Sequence, residues 1–178
     1  FQHANKRILK LMKRPGSSDR VLERIKKWRE ICPELVIRST FIVGFPGESD
    51  AEFQETMQLV RDVEYAQAYS FKYSPRPGTP AAASEVQVAE AVKDERLAGL
   101  QQLLEAQQAA FNQKVVASTQ PVLFERKGRK EGQLVGRSPY LQPVHVDLPE
   151  AMIGQIIDCH ITELRGHSLF AEIADGVE

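Results

Sequence analysis

Cysteine is nearly absent: Cys32 and Cys159 are the only two in 178 residues. Far apart and in unlike surroundings, they exclude a disulfide framework and cannot make a four-ligand metal site, and both are expected to be buried thiols. An excess of charge of one sign is also lacking. The 23 Lys and Arg against 24 Asp and Glu leave a formal net charge of −1, so any attraction to nucleic acid has to come from a local basic patch. No apolar run approaches the length of a membrane span, and the first residues carry no basic-then-apolar signal pattern. A cytoplasmic location is the expectation. There is no internal repeat, P-loop, zinc motif or hydrolase elbow. His3, His145, His160 and His167 have no ligand spacing and read as strand or surface residues. The carboxylates, though numerous, offer no evident catalytic pair.

What is present is ordinary globular material, with 42% hydrophobic residues, enough for one medium and one small core. Phe1-Gln2-His3 reads as the end of a strand with nothing before it, which suggests a fragment. Asn5 can cap a helix through about Arg14, stopped by Pro15-Gly16. Ser17 or Ser18 opens a second helix through Ile31, with an apolar stripe at Val21, Leu22, Ile25, Trp28 and Ile31. The β-branched run from Leu35 to Gly44 looks like a strand covered on both faces. Ser49 to Glu52 is a capping box for a third helix, with Phe53, Met57, Val60 and Val63 facing inward, and Ala68 to Tyr73 reads as another strand. The alternation implies parallel strands with helical crossovers, about half a barrel's worth, with an open sheet edge.

A Pro/Gly-rich loop spans Ser74 to Ala83, and one long helix from about Ala89 to Val116 leads toward a second domain. The pattern then changes to short strands at Gln120–Glu125, Gln133–Arg137, Pro143–Asp147, Gly154–Thr162 and Ser168–Ile173, with glycines at the bends. The fold class expected is α/β: the C-terminal half of a partial parallel β/α barrel over residues 1–116, followed by a small antiparallel OB-like β-barrel over 117–178.

Three segments could carry chemistry. The run from Ser39 to Glu48 puts Gly44 and a Pro46-Gly47 turn at the carboxyl end of a parallel strand, where ligands of α/β folds bind. It serves equally well as a plain strand-to-helix turn. In Ser70 to Pro80, three prolines hold Arg76 and Gly78 rigidly, which suits anion recognition, although a solvated arginine is the bland alternative. Arg126-Lys127-Gly128-Arg129-Lys130, followed by Gly136-Arg137-Ser138-Pro139-Tyr140, offers cations beside an exposed aromatic, able to hold RNA phosphate and stack on a base, or else only a solvated hairpin tip.

Together the motifs resemble one family. TFIVGFPGE at 40–48 followed by YSPRPGTPA at 73–81 is similar to the methylthiotransferase branch of the radical S-adenosylmethionine enzymes. QLVGRS at 133–138 and Ile153-Gly154 before a final hairpin resemble the TRAM domain that closes those proteins, so that the likeness covers essentially the whole chain. The resemblance implies S-adenosylmethionine as cofactor and methyl source. It also implies two 4Fe-4S clusters, whose cysteine ligands lie in preceding domains. The cluster motif C-x-x-x-C-x-x-C is absent here, so this chain alone is expected to be inert, with no metal ligand and no catalytic residue of its own. Carried over by position, Gln2, Arg38, Thr40 and Gly44 would line the cofactor pocket, and Arg76, Gly78 and Thr79 the substrate end. Glu48 stands four residues after Gly44, where the common pattern G-x-I-x-G-x-x-E has three. Arg126, Lys127, Arg129, Lys130, Arg137 and Tyr140 would contact RNA.

Two branches share the likeness. Gln2-His3-Ala4 and Leu9 to Gly16 resemble the enzymes that modify an aspartate of a small-subunit ribosomal protein. Arg76 to Ala81 and the whole barrel resemble those that place a methylthio group at C2 of N6-isopentenyladenosine beside the tRNA anticodon. The parts expected to touch substrate favour tRNA. A non-catalytic RNA-binding module is the alternative from another class.

Overall fold

A computed structural model describes residues 2–16 and 18–174, without the side chains of residues 18 and 19. The strand end expected at Phe1 and the cap expected at Ser17 lie outside the described residues. The chain divides into two compact units between Gln108 and Ala109.

The first unit contains helices α1 (Lys6–Leu11), α2 (Ser18–Ile31) and α3 (Asp50–Val63), strands β1 (Arg38–Val43) and β2 (Gln67–Lys72), and most of α4 (Glu90–Lys114). The Asn5 side chain accepts the N–H groups of Arg7 and Ile8, as the capping signal predicts, but α1 ends at Leu11, short of Arg14. The Ser49/Glu52 capping box forms, and Phe53, Met57, Val60 and Val63 are buried from α3. Strands β1 and β2 pair in parallel, Arg38 opposite Gln67 through Val43 opposite Lys72, and are the whole of this sheet among the described residues.

One expectation fails on β1. Phe41 and Val43 are buried against the helices, yet Arg38 is exposed and Thr40 and Ile42 are half-buried. The same open face carries Tyr69 and Phe71 on β2, both more than half exposed. A strand covered on one side only alternates, as β1 does. The α2 stripe is also shorter than its periodicity suggests. Ile25 is buried with Val21 and Leu22 packed beside it, whereas Trp28 is 48% and Ile31 83% exposed. Arg29, on the same helix, instead donates to the carbonyl of Val63 at the end of α3. Cys32 is exposed, contrary to expectation, because it follows the helix where the stripe has already left the core.

In the second unit, β3 (Thr119–Lys127), β4 (Gln133–Arg137), β5 (Pro143–Asp147), β6 (Ile156–Arg165) and β7 (Ser168–Ile173) close a barrel in the order β3-β4-β5-β7-β6. It is not wholly antiparallel: β5 and β7 pair in parallel, Val144 with Leu169 and His145 with Phe170. Five strands are an odd number, so alternating directions cannot close the ring and one seam must be parallel. Val122, Phe124, Leu134, Val144, Ile161 and Leu169 fill the interior. Gly136 is required by close approach, since a Cβ there would lie 2.5 Å from Val122 Cγ1 and 2.6 Å from the Leu123 carbonyl oxygen. Cys159 is fully buried in this core, and burial pushes its thiol up to about 11. The last turns of α4 belong here as well. Val115 joins the barrel core, Asn112 accepts from Gln142 Nε2 at 2.8 Å, and Phe111 meets Tyr140 edge-on. The compact unit therefore begins before the change in sequence pattern at residue 117.

Candidate nucleic-acid interface and ligand cavity

The barrel carries a basic cleft of about 590 Å³. Its cations come from four places: Arg126 on β3, Arg129 and Lys130 on the β3–β4 loop, Arg137 on β4 and Arg165 at the end of β6. A β-bulge between Phe124 and Arg126 breaks the in-out alternation of β3, which leaves Glu125, Arg126 and Lys127 all exposed. No Asp or Glu among the described residues lines the cleft. Arg137 and Arg165 have carboxylate neighbours outside it, Glu125 at 3.4 Å and Glu163 at 2.6 Å, in solvent-exposed pairs. Arg126, Arg129 and Lys130 have no carboxylate partner among the described residues.

The wall of this cleft is aromatic. The His145 imidazole stacks on Phe170 at 5.0 Å with 16° between planes, and Arg165 lies over the Phe170 ring at 4.7 Å. Burial first, then the charges of Arg126 and Arg129, hold His145 below the usual histidine range, so the ring is neutral at pH 7. Its Nδ1 is 3.2 Å from Gln133 Oε1. A neutral stacked ring among unpaired cations fits an unpaired base with its phosphates.

Four of the six residues expected at an RNA surface, Arg126, Arg129, Lys130 and Arg137, do converge. Lys127 does not; its ammonium is 2.6 Å from Glu150. Tyr140 is not the exposed platform expected of it, being half-buried against Phe111 and the barrel core. The aromatic that does accompany the cations is Phe170. Neither it nor Arg165 and His145 stood out in the sequence, because His145 reaches the cations by the β4–β5 pairing and Phe170 and Arg165 join them only across the β5–β7 seam.

The first unit holds a cavity of about 730 Å³ beside the carboxyl ends of β1 and β2. Gln2, Thr40, Arg76 and Thr79 line it together. Gln2 is held there because its carbonyl accepts from the Ile42 N–H at 3.0 Å. Ile42, Phe45 and Phe71 make an apolar floor, and Lys13 and Arg14 join from the end of α1. Arg38 is elsewhere, exposed, with its guanidinium 6.0 Å from the Tyr69 ring. Gly78 sits outside in the adjoining turn with φ +80°. Gly44 is also not brought to the cavity. It has φ +69°, and a Cβ there would meet Lys93 Cγ at 2.4 Å, so a buried lysine of α4 occupies the space expected for a ligand.

Behind the strand end lies a buried polar network that sequence reading missed. Glu48, with a fully buried side chain, accepts from His3 Nε2 and from Arg96 Nη1, each at 2.8 Å, and from the Gly44 N–H. The Asn5 N–H donates to His3 Nδ1, which fixes the tautomer that donates from Nε2. Only the spacing of Glu48 after Gly44 hinted at this; His3 and Arg96 are distant in sequence. Nearby, Lys72 is paired to Asp94 and Glu90, which push its ammonium up to about 12.

No group of three or more His, Cys, Asp or Glu side chains able to hold a metal occurs among the described residues. The residues present therefore do not fit an iron–sulfur cluster. The cavity has room for an adenosine-sized ligand, and Gln2 and Thr40 are among its lining residues together with the apolar Ile42, Phe45 and Phe71.

A parallel α/β unit with a cavity at its strand ends, followed by a closed five-stranded barrel with a basic cleft, defines the class as a two-unit protein of mixed α/β and small-barrel architecture. Comparison with known families agrees and sharpens it. Residues 1–60 match the Radical SAM superfamily and residues 113–174 match the TRAM domain. The chain thus joins part of a radical S-adenosylmethionine domain to a TRAM domain. No helix among the described residues is long and apolar enough to cross a membrane.

Proposed function

We propose that the chain is the substrate-facing part of a radical S-adenosylmethionine methylthiotransferase that acts at C2 of N6-isopentenyladenosine beside the tRNA anticodon. The observation that carries this reading is the cleft of five basic side chains, with no carboxylate in its lining among the described residues. An RNA backbone is the natural counterpart of such a surface, and stacking against its aromatic wall suits an unpaired loop nucleotide. Residues 1–116 would form the C-terminal part of the catalytic β/α barrel with its connecting helix, and 117–178 the RNA-binding domain. Gln2 and Thr40 would hold the adenosyl part of S-adenosylmethionine, with Arg76 and Thr79 toward the substrate. The cofactor supplies the radical and methyl chemistry when bound. Both 4Fe-4S clusters would be held by other domains of the same cytoplasmic protein, because this chain has only two cysteines.

Filter binding to an unmodified anticodon stem-loop, and separately to the small-subunit ribosomal protein, tests the reading across a salt series. RNA binding that weakens steeply with salt, at a log–log slope of about 0.9 per phosphate contact, is the expected result. Replacing Arg126 and Arg129 by Gln should lower that slope by nearly two. Preference for the ribosomal protein, toward which residues 2–16 lean in sequence, would transfer the activity to an aspartate side chain. Salt-insensitive RNA binding would reduce the cleft to a solvated surface.

A further inference from the structure

We propose that Lys13 and Arg14, with Arg76, form a phosphate clamp at the mouth of the first unit's cavity that selects a nucleic-acid strand as substrate. The inference deepens the function proposed above and rests on it. All three residues line the cavity, all are exposed, and no Asp or Glu among the described residues is in the lining. The other cation of the lining, Lys72, is already neutralised by Glu90 and Asp94. Lys13, Arg14 and Arg76 have no carboxylate partner among the described residues. Three unpaired cations exceed what the single carboxylate of S-adenosylmethionine, itself carrying a sulfonium and an ammonium, could use. A phosphodiester backbone supplies matching charges at regular intervals. The apolar floor of Ile42, Phe45 and Phe71 beneath them can receive a planar base.

Backbone geometry points the same way. Helix α1 ends in a Schellman motif: the Arg14 N–H donates to the Leu9 carbonyl at 2.9 Å and the Lys13 N–H to the Lys10 carbonyl at 3.0 Å. The residue after the cap must then be left-handed, the place where glycine costs least. This chain has Lys13 there, at φ +55°. A lysine held in a conformation it resists, at a cavity rim with no acid to pair with, is strain retained for the position of its charge.

That conflict gives a test in which misfolding cannot imitate the result. Lys13→Gly relieves the strain, so its thermal midpoint should rise, while its affinity for an unmodified anticodon stem-loop should fall several-fold. Its log–log salt slope should drop by about 0.7 to 0.9, the loss of one phosphate contact. Arg14→Gln should behave alike in affinity. Lys10→Gln, which removes one positive charge from the last turn of α1 at a position outside the cavity lining, should change neither. Each variant is measured in the native chain and in a background carrying Arg126→Gln and Arg129→Gln. Losses at Lys13 and Arg14 in both backgrounds support the clamp. If only the barrel substitutions weaken binding, the clamp is wrong and the tRNA reading stands. If neither set matters, both fall. A Lys13→Gly chain that is stabilised with unchanged affinity, or a loss matched by Lys10→Gln, overturns the clamp.

Discussion

Glu48→Gln is the most demanding test of the network beneath the cavity. The substitution keeps the shape and removes the charge. Every group that faces the carboxylate is a donor: His3 Nε2, the Gly44 N–H and Arg96 Nη1. The His3 ring cannot exchange its tautomer to help, because the Asn5 N–H occupies Nδ1. Whichever way the amide is turned, its NH₂ therefore meets a donor, and the Arg96 guanidinium, with a side chain only 8% exposed, loses its buried counter-charge and keeps only the exposed Asp50 carboxylate at 4.0 Å. Breaking one side of a buried pair costs about 3–5 kcal/mol. Denaturant unfolding followed by Trp28 fluorescence reads this directly, since the chain's single tryptophan sits on α2 in the same unit. The double variant Glu48→Gln/Arg96→Met removes the stranded charge and also the buried Arg96 Nε, which has no hydrogen-bond partner among the described residues. It should recover more than half of the loss. A single-variant loss below about 1 kcal/mol, or a double variant whose cost is the sum of the singles, would refute the argument that charge balance holds the network.

Three further outcomes follow from the geometry. Gly136→Ala forces a Cβ into the β3 backbone and should destabilise the barrel by about 2 kcal/mol or more, seen as faster hydrogen exchange in β3 and β4; unchanged protection would mean the strands can part freely. The Arg7 guanidinium, hydrogen-bonded at 2.7 Å, holds the Glu52 carboxyl at about 2. This depressed acid contributes stability at neutral pH that is lost as pH falls from about 4.5 toward 2. The contribution is on the order of 1 kcal/mol because Arg7 is 54% exposed, and Glu52→Gln should flatten that limb of an acid titration. In the basic cleft, seated phosphates would offset the charges of Arg126 and Arg129, which add to burial in lowering His145, so RNA affinity should increase as pH falls into the range where this ring takes up a proton. His145→Gln should abolish the increase, and an unaltered pH profile would place the phosphates away from this ring.

Much of the fold was legible because its signals are local. The Asn5 cap, the Ser49/Glu52 capping box, the inward positions of α3 and the spans of β4, β5 and β7 depend on neighbours within a few residues, and all appear as read. The cluster of Arg126, Arg129, Lys130 and Arg137 was legible for the same reason, lying on one hairpin.

What the sequence could not determine was which elements meet. Periodicity put Trp28 and Ile31 on an inward stripe, but only packing says where the partner surface stops. Gly44 looked like a ligand's point of entry until α4 laid Lys93 across it. His145 and Phe170 became a stacked pair only through the parallel seam, and His3, Glu48 and Arg96 became one network only when three distant segments converged. Capping, turns and alternation are encoded by residues that touch along the chain. Burial, charge pairing and the walls of a cavity are set by residues that touch across it, and those contacts exist only after folding.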